Sequence, residues 1–425
     1  MTWTLPSAPP YTGPGASLPR PVAVIAKVAV CVGLVAGIAF NVVGLPPLRE
    51  WGAIYRLDLD VYRIGGRALL DGVNLYGVLP RTLVNIPLPF TYPPMAAVSF
   101  APMAVLPLPA ASLIMTAMTM ILLAVTVAVC LRSLVHLSAG TTAWVTGGIT
   151  AIAFALEPVW STLDYGQINV VLMCLVVLDV LLKRTPWPRG LLIGFVTAIK
   201  LTPAVFVLYF LLRKQYRAAV VTGLSFLGFT ALGFVATFRD SVQYWTEVLL
   251  DSDRIGGPGY ISNQSLTGML ARLGLADGPR TIVWMVCSAV VGLVALVAMR
   301  RALAAHEYLL ALCVNAALGL LVSPVSWSHH WVWTVPMLMV LVHVGVTRRA
   351  PALVALAVIG AVLLHYPSHW RLAPGRWNGL GWPLWDQIQA SSYVWWGLVF
   401  VIAVAAVPLR DRRSPERPGV TAEAV

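Results

Sequence analysis

The stretch Leu57-Asp58-Leu59-Asp60-Val61-Tyr62-Arg63-Ile64-Gly65-Gly66-Arg67-Ala68-Leu69-Leu70-Asp71-Gly72 places two carboxylates, a phenol and two guanidiniums within one short helix-sized segment. Apolar positions 61, 64, 68 and 69 fit one helical face, Asp60 stands where an N-cap would, and Gly72 is a natural residue just past the helix end. Asp58 has no capping duty. It follows the interfacial anchors Trp51 and Tyr55 and precedes a helix expected to lie along a membrane surface. A carboxylate held there can take the proton of a hydroxyl brought to that surface. An ordinary ion pair with Arg56 or Arg63 is the alternative.

Four further clusters carry polar chemistry. Ser323-Pro324-Val325-Ser326-Trp327-Ser328-His329-His330 lies at the end of an apolar segment. Its aromatic residues fit an interfacial belt, and one of the adjacent histidines can donate to a phosphate or a sugar hydroxyl. Adjacent histidines on a helix point to different faces, which makes them a poor chelating pair. Asp164-Tyr165-Gly166-Gln167-Ile168-Asn169 opens a helix, where Gln167 and Asn169 either cap it or bind ligand hydroxyls. In Ile199-Lys200-Leu201-Thr202-Pro203, a lysine interrupts an apolar run, a costly placement unless it meets a partner or water. Lys200 there suits a lipid-linked phosphate. Ser262-Asn263-Gln264-Ser265 is polar and contains a formal glycosylation sequon. Aromatic faces stack on the C–H surfaces of sugars, so a carboxylate base, a cation and aromatic platforms together fit glycosyl transfer from a lipid phosphate.

The elements that must position these residues cross a membrane. Hydrophobic residues make up 59% of the 425 and charged ones 11%, whereas a soluble domain carries about 25% charge. Runs such as 28–43, 113–129 and 170–182 approach or reach membrane-crossing length. The expected fold is an all-α polytopic bundle of about 10–12 transmembrane helices, with broken or re-entrant helices and outer-face loops. Residues 1–20 read as a cytoplasmic tail, 21–409 as the membrane domain and 410–425 as a basic cytoplasmic tail. The net charge of +12 is concentrated in short loops: Lys183, Arg184 and Arg189; Arg213, Lys214 and Arg217; Arg300 and Arg301; Arg348 and Arg349. Such loops stay in the cytoplasm, so they orient the chain and are no nucleic-acid footprint. Both termini are then cytoplasmic in a plasma membrane, and the outer segments 45–93, 158–169, 239–279 and 367–392 hold most of the acids, including Asp58, Asp60, Asp71, Asp164, Asp240 and Asp253. With basic loops at both ends, 190–212 reads as a pair broken at Lys200 and Pro203. All five cysteines lie in apolar segments and read as packing residues.

The polar clusters resemble a known family. Asp60-Val61-Tyr62 with Gly66-Arg67-Ala68-Leu69-Leu70-Asp71-Gly72-Val73-Asn74-Leu75-Tyr76, then Phe90-Thr91-Tyr92-Pro93-Pro94, look like its first outer loop. Gly166-Gln167-Ile168-Asn169, Ile199-Lys200-Leu201-Thr202-Pro203, Asn263-Gln264-Ser265 and Ser323–His330 recur in the same order. The family is glycosyltransferase family 87, in the GT-C superfamily of actinobacterial cell-envelope enzymes. The resemblance implies an inverting transfer on the outer membrane face from polyprenyl-phosphate mannose to a phosphoglycolipid, here a phosphatidylinositol mannoside receiving an α-(1→2) mannose. Transfer to lipomannan or lipoarabinomannan, and arabinofuranose transfer from decaprenyl-phosphate arabinose, are the alternatives within it. It also implies an aspartate base in the first outer loop, carried here by Asp58 with Asp60 as competitor. The expected phosphate ligands are Lys200, His329, His330, Arg63 and Arg67. The expected sugar or acceptor contacts are Tyr62, Gln167, Asn169, Asn263, Gln264 and Trp327. No cofactor or metal is expected, because the donor is not a nucleotide diphosphate. A transporter or flippase of lipid-linked sugars is the rival of another class; it would spread ionisable residues through the mid-membrane. A non-catalytic assembly subunit would have the same hydropathy.

Overall fold

The computed structural model describes residues 19–409 except 53, 252–253, 255, 374, 376 and 378–381. The expected tails lie outside the described residues, Pro19 and Arg20 apart, as does Asp253.

Among the described residues the chain is helical, with only two isolated β-bridges, Leu45 to Arg49 and Asn263 to Trp327. Helix α1 (Arg20–Val42) buries Asn41 alone, as expected of a helix whose faces meet lipid. Next come α2 (Leu57–Leu70), α3 (Pro94–Ala104) and α4 (Leu108–Leu134), α2 packing along α3. Helix α4 spans roughly 40 Å at 1.5 Å per residue. Its Thr116 and Thr126 return their hydroxyls to the carbonyls of Ser112 and Leu122, so neither is left unpaired in an apolar surrounding. Helices α5 (Ala139–Ala153) and α6 (Glu157–Tyr165) are bent by 76° to one another. Pro158 forbids a straight continuation, having no N–H to give the preceding turn, and sits instead in the first turn of α6. The apolar stretch over 139–165 is therefore a bent pair and not one straight span.

Then follow α7 (Asn169–Leu181), α8 (Leu191–Ile199), a 3-10 turn over Thr202–Phe206, α9 (Val207–Leu212) and α10 (Tyr216–Ala236). The backbone of Gly190 lies against Ala218 and Thr222, and that of Gly194 against Thr222 and Ser225. α8 and α10 thus run in the same direction with their N-terminal ends together. The segment between them must therefore rise to Lys200 and return, which is the broken, re-entrant pair expected for 190–212. The close approach depends on glycine: a β-carbon at position 194 would come within 2.5 Å of Ser225 Cβ. The chain continues through α11 (Phe238–Thr246), α12 (Leu266–Arg272), α13 (Asp277–Ala304) and α14 (Tyr308–Val322). A 3-10 helix over Ser328–Trp333 leads into α15 (Thr334–Thr347), followed by α16 (Pro351–His365), α17 (Leu384–Ala390) and α18 (Ser392–Ala406).

Among the described residues six helices are long and apolar enough to cross a membrane, and up to eight if each bent pair counts as one span; α17 and α18, at 71°, form the second such pair. Four shorter apolar helices, Pro94–Ala104, Asn169–Leu181, Thr202–Leu212 and Tyr308–Val322, must be added to reach the expected ten to twelve. The protein is a multi-pass membrane protein. Helix α14 occupies the interior, with all of its residues buried except Tyr308, Gly319 and Val322. It packs against α13, α15 and α18.

Candidate active site

The first turn of α2 is anchored from below by Arg56, which is 2% exposed. Its guanidinium donates to Asn41 O at 2.6 Å, to Ser112 Oγ at 2.9 Å and to Leu163 O, joining α1, α4 and α6. Helix α2 begins at Leu57, with Arg56 as N-cap and no side-chain cap. This corrects the N-cap reading of Asp60, which lies inside the first turn. Asp60 accepts from Tyr55 OH at 2.9 Å and Leu83 N at 2.8 Å, with Arg63 at 3.5 Å, and so ties down the loop after α2. Gly72 does adopt the left-handed conformation expected past the helix end.

Asp58 faces another way. Its Oδ2 accepts from Gln167 Nε2 at 2.5 Å, across 109 residues of sequence. The turn that brings Gln167 there depends on Gly166, whose φ is +68° and whose added β-carbon would stand 2.8 Å from Leu59 Cβ. Gln167 is itself oriented by Tyr62 OH, 2.7 Å from its Oε1, and Tyr62 pairs with Tyr92 OH at 3.0 Å. Burial pushes the Asp58 carboxyl up to about 6, while the Gln167 hydrogen bond and the Lys200 charge pull in the opposite direction. That value leaves Asp58 mostly ionised yet basic at neutral pH.

Lys200 stands at the tip of the broken pair, where the backbone leaves α8 in an extended conformation. Its Nζ is 3.0 Å from His330 Nε2 and 3.3 Å from Asn169 Oδ1, and 5.6 Å from the centre of the Tyr92 ring. Asn169 Nδ2 and Thr162 Oγ1 both donate to the carbonyl of His329 at 3.0 Å, fixing the 3-10 helix that carries both histidines. His329 is buried, and neither of its ring nitrogens has a partner among the described residues. Its ring lies 5.3 Å from Tyr165 and 4.9 Å from His330. Among the described residues no group of three or more His, Cys, Asp or Glu side chains is disposed to hold a metal ion.

Asp58, Tyr62, Gln167, Asn169, Lys200, His329 and His330 therefore converge. Other expected site residues do not join them. Arg63 donates to Met103 O and Leu106 O at the end of α3, and Arg67 pairs with Asp71 on the surface. Tyr62, Gln167 and Asn169 spend their polar atoms on protein partners and so orient Asp58, Lys200 and the His329 carbonyl. Asn263 bonds Pro258 O, Pro324 O and Ser326 N, and Gln264 bonds Ile261 O, Ala390 O and Tyr393 N. Both are fully buried, which removes them from sugar contact and removes the Asn263 sequon as an accessible acceptor. Trp327 remains half-exposed beside Tyr260.

Sequence reasoning missed Tyr165, Glu157 and the role of Tyr92. Tyr92 was within reach, since it sits in the Phe90-Thr91-Tyr92-Pro93-Pro94 motif. Glu157 is completely buried and accepts from Ser328 Oγ, Trp370 Nε1 and Tyr393 OH; a carboxylate beside a proline at a helix start gave no sign of this.

Within the bundle, the Asp58 carboxylate thus lies in the field of Lys200, which pairs with His330. The family model for glycosyltransferase family 87 matches residues 90–324. The chain is 44% identical over 382 residues to the "polyprenol-phosphate-mannose-dependent alpha-(1-2)-phosphatidylinositol mannoside mannosyltransferase" of Mycobacterium tuberculosis (strain ATCC 25618 / H37Rv), covering 85% of this chain and 87% of that one. It is 43% identical to the protein of the same name from Mycolicibacterium smegmatis, covering 83% and 84%. A third relative, the M. smegmatis phosphatidylinositol pentamannoside mannosyltransferase, is 35% identical, covering 82% and 83%. No solved structure matches the chain. The chain belongs to glycosyltransferase family 87 and is a membrane glycosyltransferase.

Proposed function

We propose that this enzyme moves mannose from polyprenyl-phosphate mannose to a phosphatidylinositol mannoside, forming an α-(1→2) linkage on the outer face of the plasma membrane. The observation that carries the reading is Asp58 held by Gln167 in the field of Lys200. The substrates named for the relatives fit that arrangement.

The reaction is a single displacement. The acceptor hydroxyl gives its proton to the Asp58 carboxylate as its oxygen attacks the anomeric carbon. The bond from that carbon to the phosphate oxygen breaks, and its electron pair leaves with polyprenyl phosphate. The configuration at the anomeric carbon inverts. Lys200 and His330 stabilise the charge developing on the phosphate, and His329 has ring nitrogens free to join them. The leaving group is a phosphomonoester, so the step requires neither a strong acid nor a divalent ion. An outer-face location is supported by the placement of charge. Arg189 and the basic loop before α8 stand at one end of that helix, and Lys200 at the other. Purified protein in lipid, supplied with both substrates, tests the reading; absence of mannose transfer would defeat it.

A further inference from the structure

Beyond His329, the site continues into a strip of aromatic rings that the transfer chemistry does not use. Tyr165 packs against the His329 ring and lies within electrostatic range of both Asp58 and Tyr260. Tyr260 in turn meets Trp327 edge-on at 5.8 Å and Trp370 at 6.2 Å, and Trp370 meets Trp377 at 5.3 Å. Tyr165, Tyr260, Trp327 and Trp370 are all half-exposed. Among the described residues neither the Tyr165 nor the Tyr260 hydroxyl has a hydrogen-bond partner.

These rings are held rigidly from beneath. Glu157 has no cation at ion-pair distance among the described residues. It is satisfied instead by Ser328 Oγ at 2.7 Å, Tyr393 OH at 2.9 Å and Trp370 Nε1 at 3.0 Å. One buried carboxylate thus fixes the Trp370 indole and the residue next to Trp327. Arg272, also buried, fastens the Tyr260 carbonyl at 3.3 Å and Ser391 Oγ at 2.8 Å. Flat apolar faces with unpaired hydroxyls at their edges, on a braced base beside the proton acceptor, match the alternating C–H and O–H surfaces of a hexopyranose.

We infer that Tyr260, Trp327 and Trp370 form a shelf for the acceptor glycan, holding the sugars that precede the one being mannosylated, with Tyr165 leading from the shelf to Asp58. Contacts run from Lys200 through His330 and His329 to Tyr165, and from Tyr260 to Trp327 and Trp370, with Tyr165 and Tyr260 within electrostatic range of each other. The donor phosphate binds at the first end and the acceptor chain extends from the other. The inference rests on the proposed mannosyl transfer and makes named residues sensitive to acceptor length.

Tyr260→Leu and Trp327→Leu remove one ring each, and Trp327→Phe restores a ring at the second position. Two acceptors are compared: an alkyl mannoside with one sugar, and a phosphatidylinositol mannoside with several. The KM for the longer acceptor should rise about 3- to 10-fold in each leucine variant. The KM for the single-sugar acceptor should change much less, and Trp327→Phe should recover most of the loss. An equal rise for both acceptors, or none for either, would overturn the shelf. Calorimetric titration of α-(1→2)-linked mannotriose into the protein without donor gives a second reading. If the wild type transfers no mannose but binds the trisaccharide, with weaker binding in Tyr260→Leu, the proposed reaction fails and the shelf stands. If the wild type transfers mannose while binding and length preference survive in both leucine variants, only the shelf fails.

Discussion

Replacing Asp58 by asparagine removes the proton acceptor with little change of shape. The side-chain oxygen of the introduced asparagine can still accept from Gln167 Nε2, so the hydrogen-bonded chain through Gln167, Tyr62 and Tyr92 has no reason to rearrange. With its carboxyl raised to about 6, Asp58 is roughly nine-tenths ionised at pH 7. A positioned general base contributes about 10²- to 10⁴-fold, or about 3–5 kcal/mol of barrier. The kcat of Asp58→Asn should fall by that factor, while the KM for the donor changes by less than about threefold. Stability should move the opposite way. A carboxyl whose folded pKa lies above its unfolded value near 3.8 costs stability in the ionised form. That cost grows as pH rises through this range and is complete above about 6. The shift corresponds to about 3 kcal/mol, reduced to about 1–2 kcal/mol by the partial exposure of Asp58. Asp58→Asn should therefore melt at the same or a higher temperature at pH 7.5, measured by differential scanning fluorimetry in detergent alongside a radiolabelled mannose-transfer assay. Activity retained in a well-folded Asp58→Asn protein would refute the base assignment. Loss of transfer in Asp60→Asn alone, with the fold intact, would move it by two residues.

The pH profile of kcat/KM should rise with an apparent midpoint near 6 and lose that limb in Asp58→Asn, because the active form is the carboxylate; a flat profile between pH 5 and 7 would count against the mechanism. Lys200→Met should lower kcat/KM for the donor about 10²- to 10³-fold, as expected for removing a charge that stabilises the leaving phosphate, and a change below threefold would exclude that role. Gly166→Ala should reduce both stability and kcat, since a left-handed residue with a β-carbon 2.8 Å from Leu59 must displace Gln167 from Asp58; unaltered kinetics would show that the turn does not set the base. Arg67→Ala should be nearly silent in both assays, within about 0.5 kcal/mol, because its ion pair with Asp71 is exposed.

The membrane class and the broken pair were legible because both follow from local composition: lysine and proline inside an apolar run leave few other solutions. Arg63 and Arg67, expected as phosphate ligands, stand away from Asp58 for a reason of helical geometry that the expectation did not apply. At 100° per residue, Tyr62 lies about 40° from Asp58 around α2, whereas Arg63 lies about 140° away and Arg67 about 180°. The Asp58–Gln167 contact could not be read from spacing, since it joins residues 109 apart through a turn that Gly166 permits. The burial of Asn263 and Gln264 was hidden for a related reason. A polar loop looks the same in sequence whether its amides meet a ligand or the carbonyls of neighbouring loops, and here they meet Pro324, Ile261 and Ala390. Glu157 reads as the acidic first turn of a short helix, and only the packing of Tyr393, Ser328 and Trp370 around it makes it a central brace.

The central claim is that Asp58 drives an inverting mannosyl transfer between two lipids. Its most direct test uses purified wild-type and Asp58→Asn protein in lipid nanodiscs with radiolabelled polyprenyl-phosphate mannose and a phosphatidylinositol mannoside. The wild type should yield a labelled glycolipid, its label released by an α-(1→2)-mannosidase, and Asp58→Asn at least about a hundredfold less. A product resistant to that enzyme, or equal product from both proteins, would contradict it.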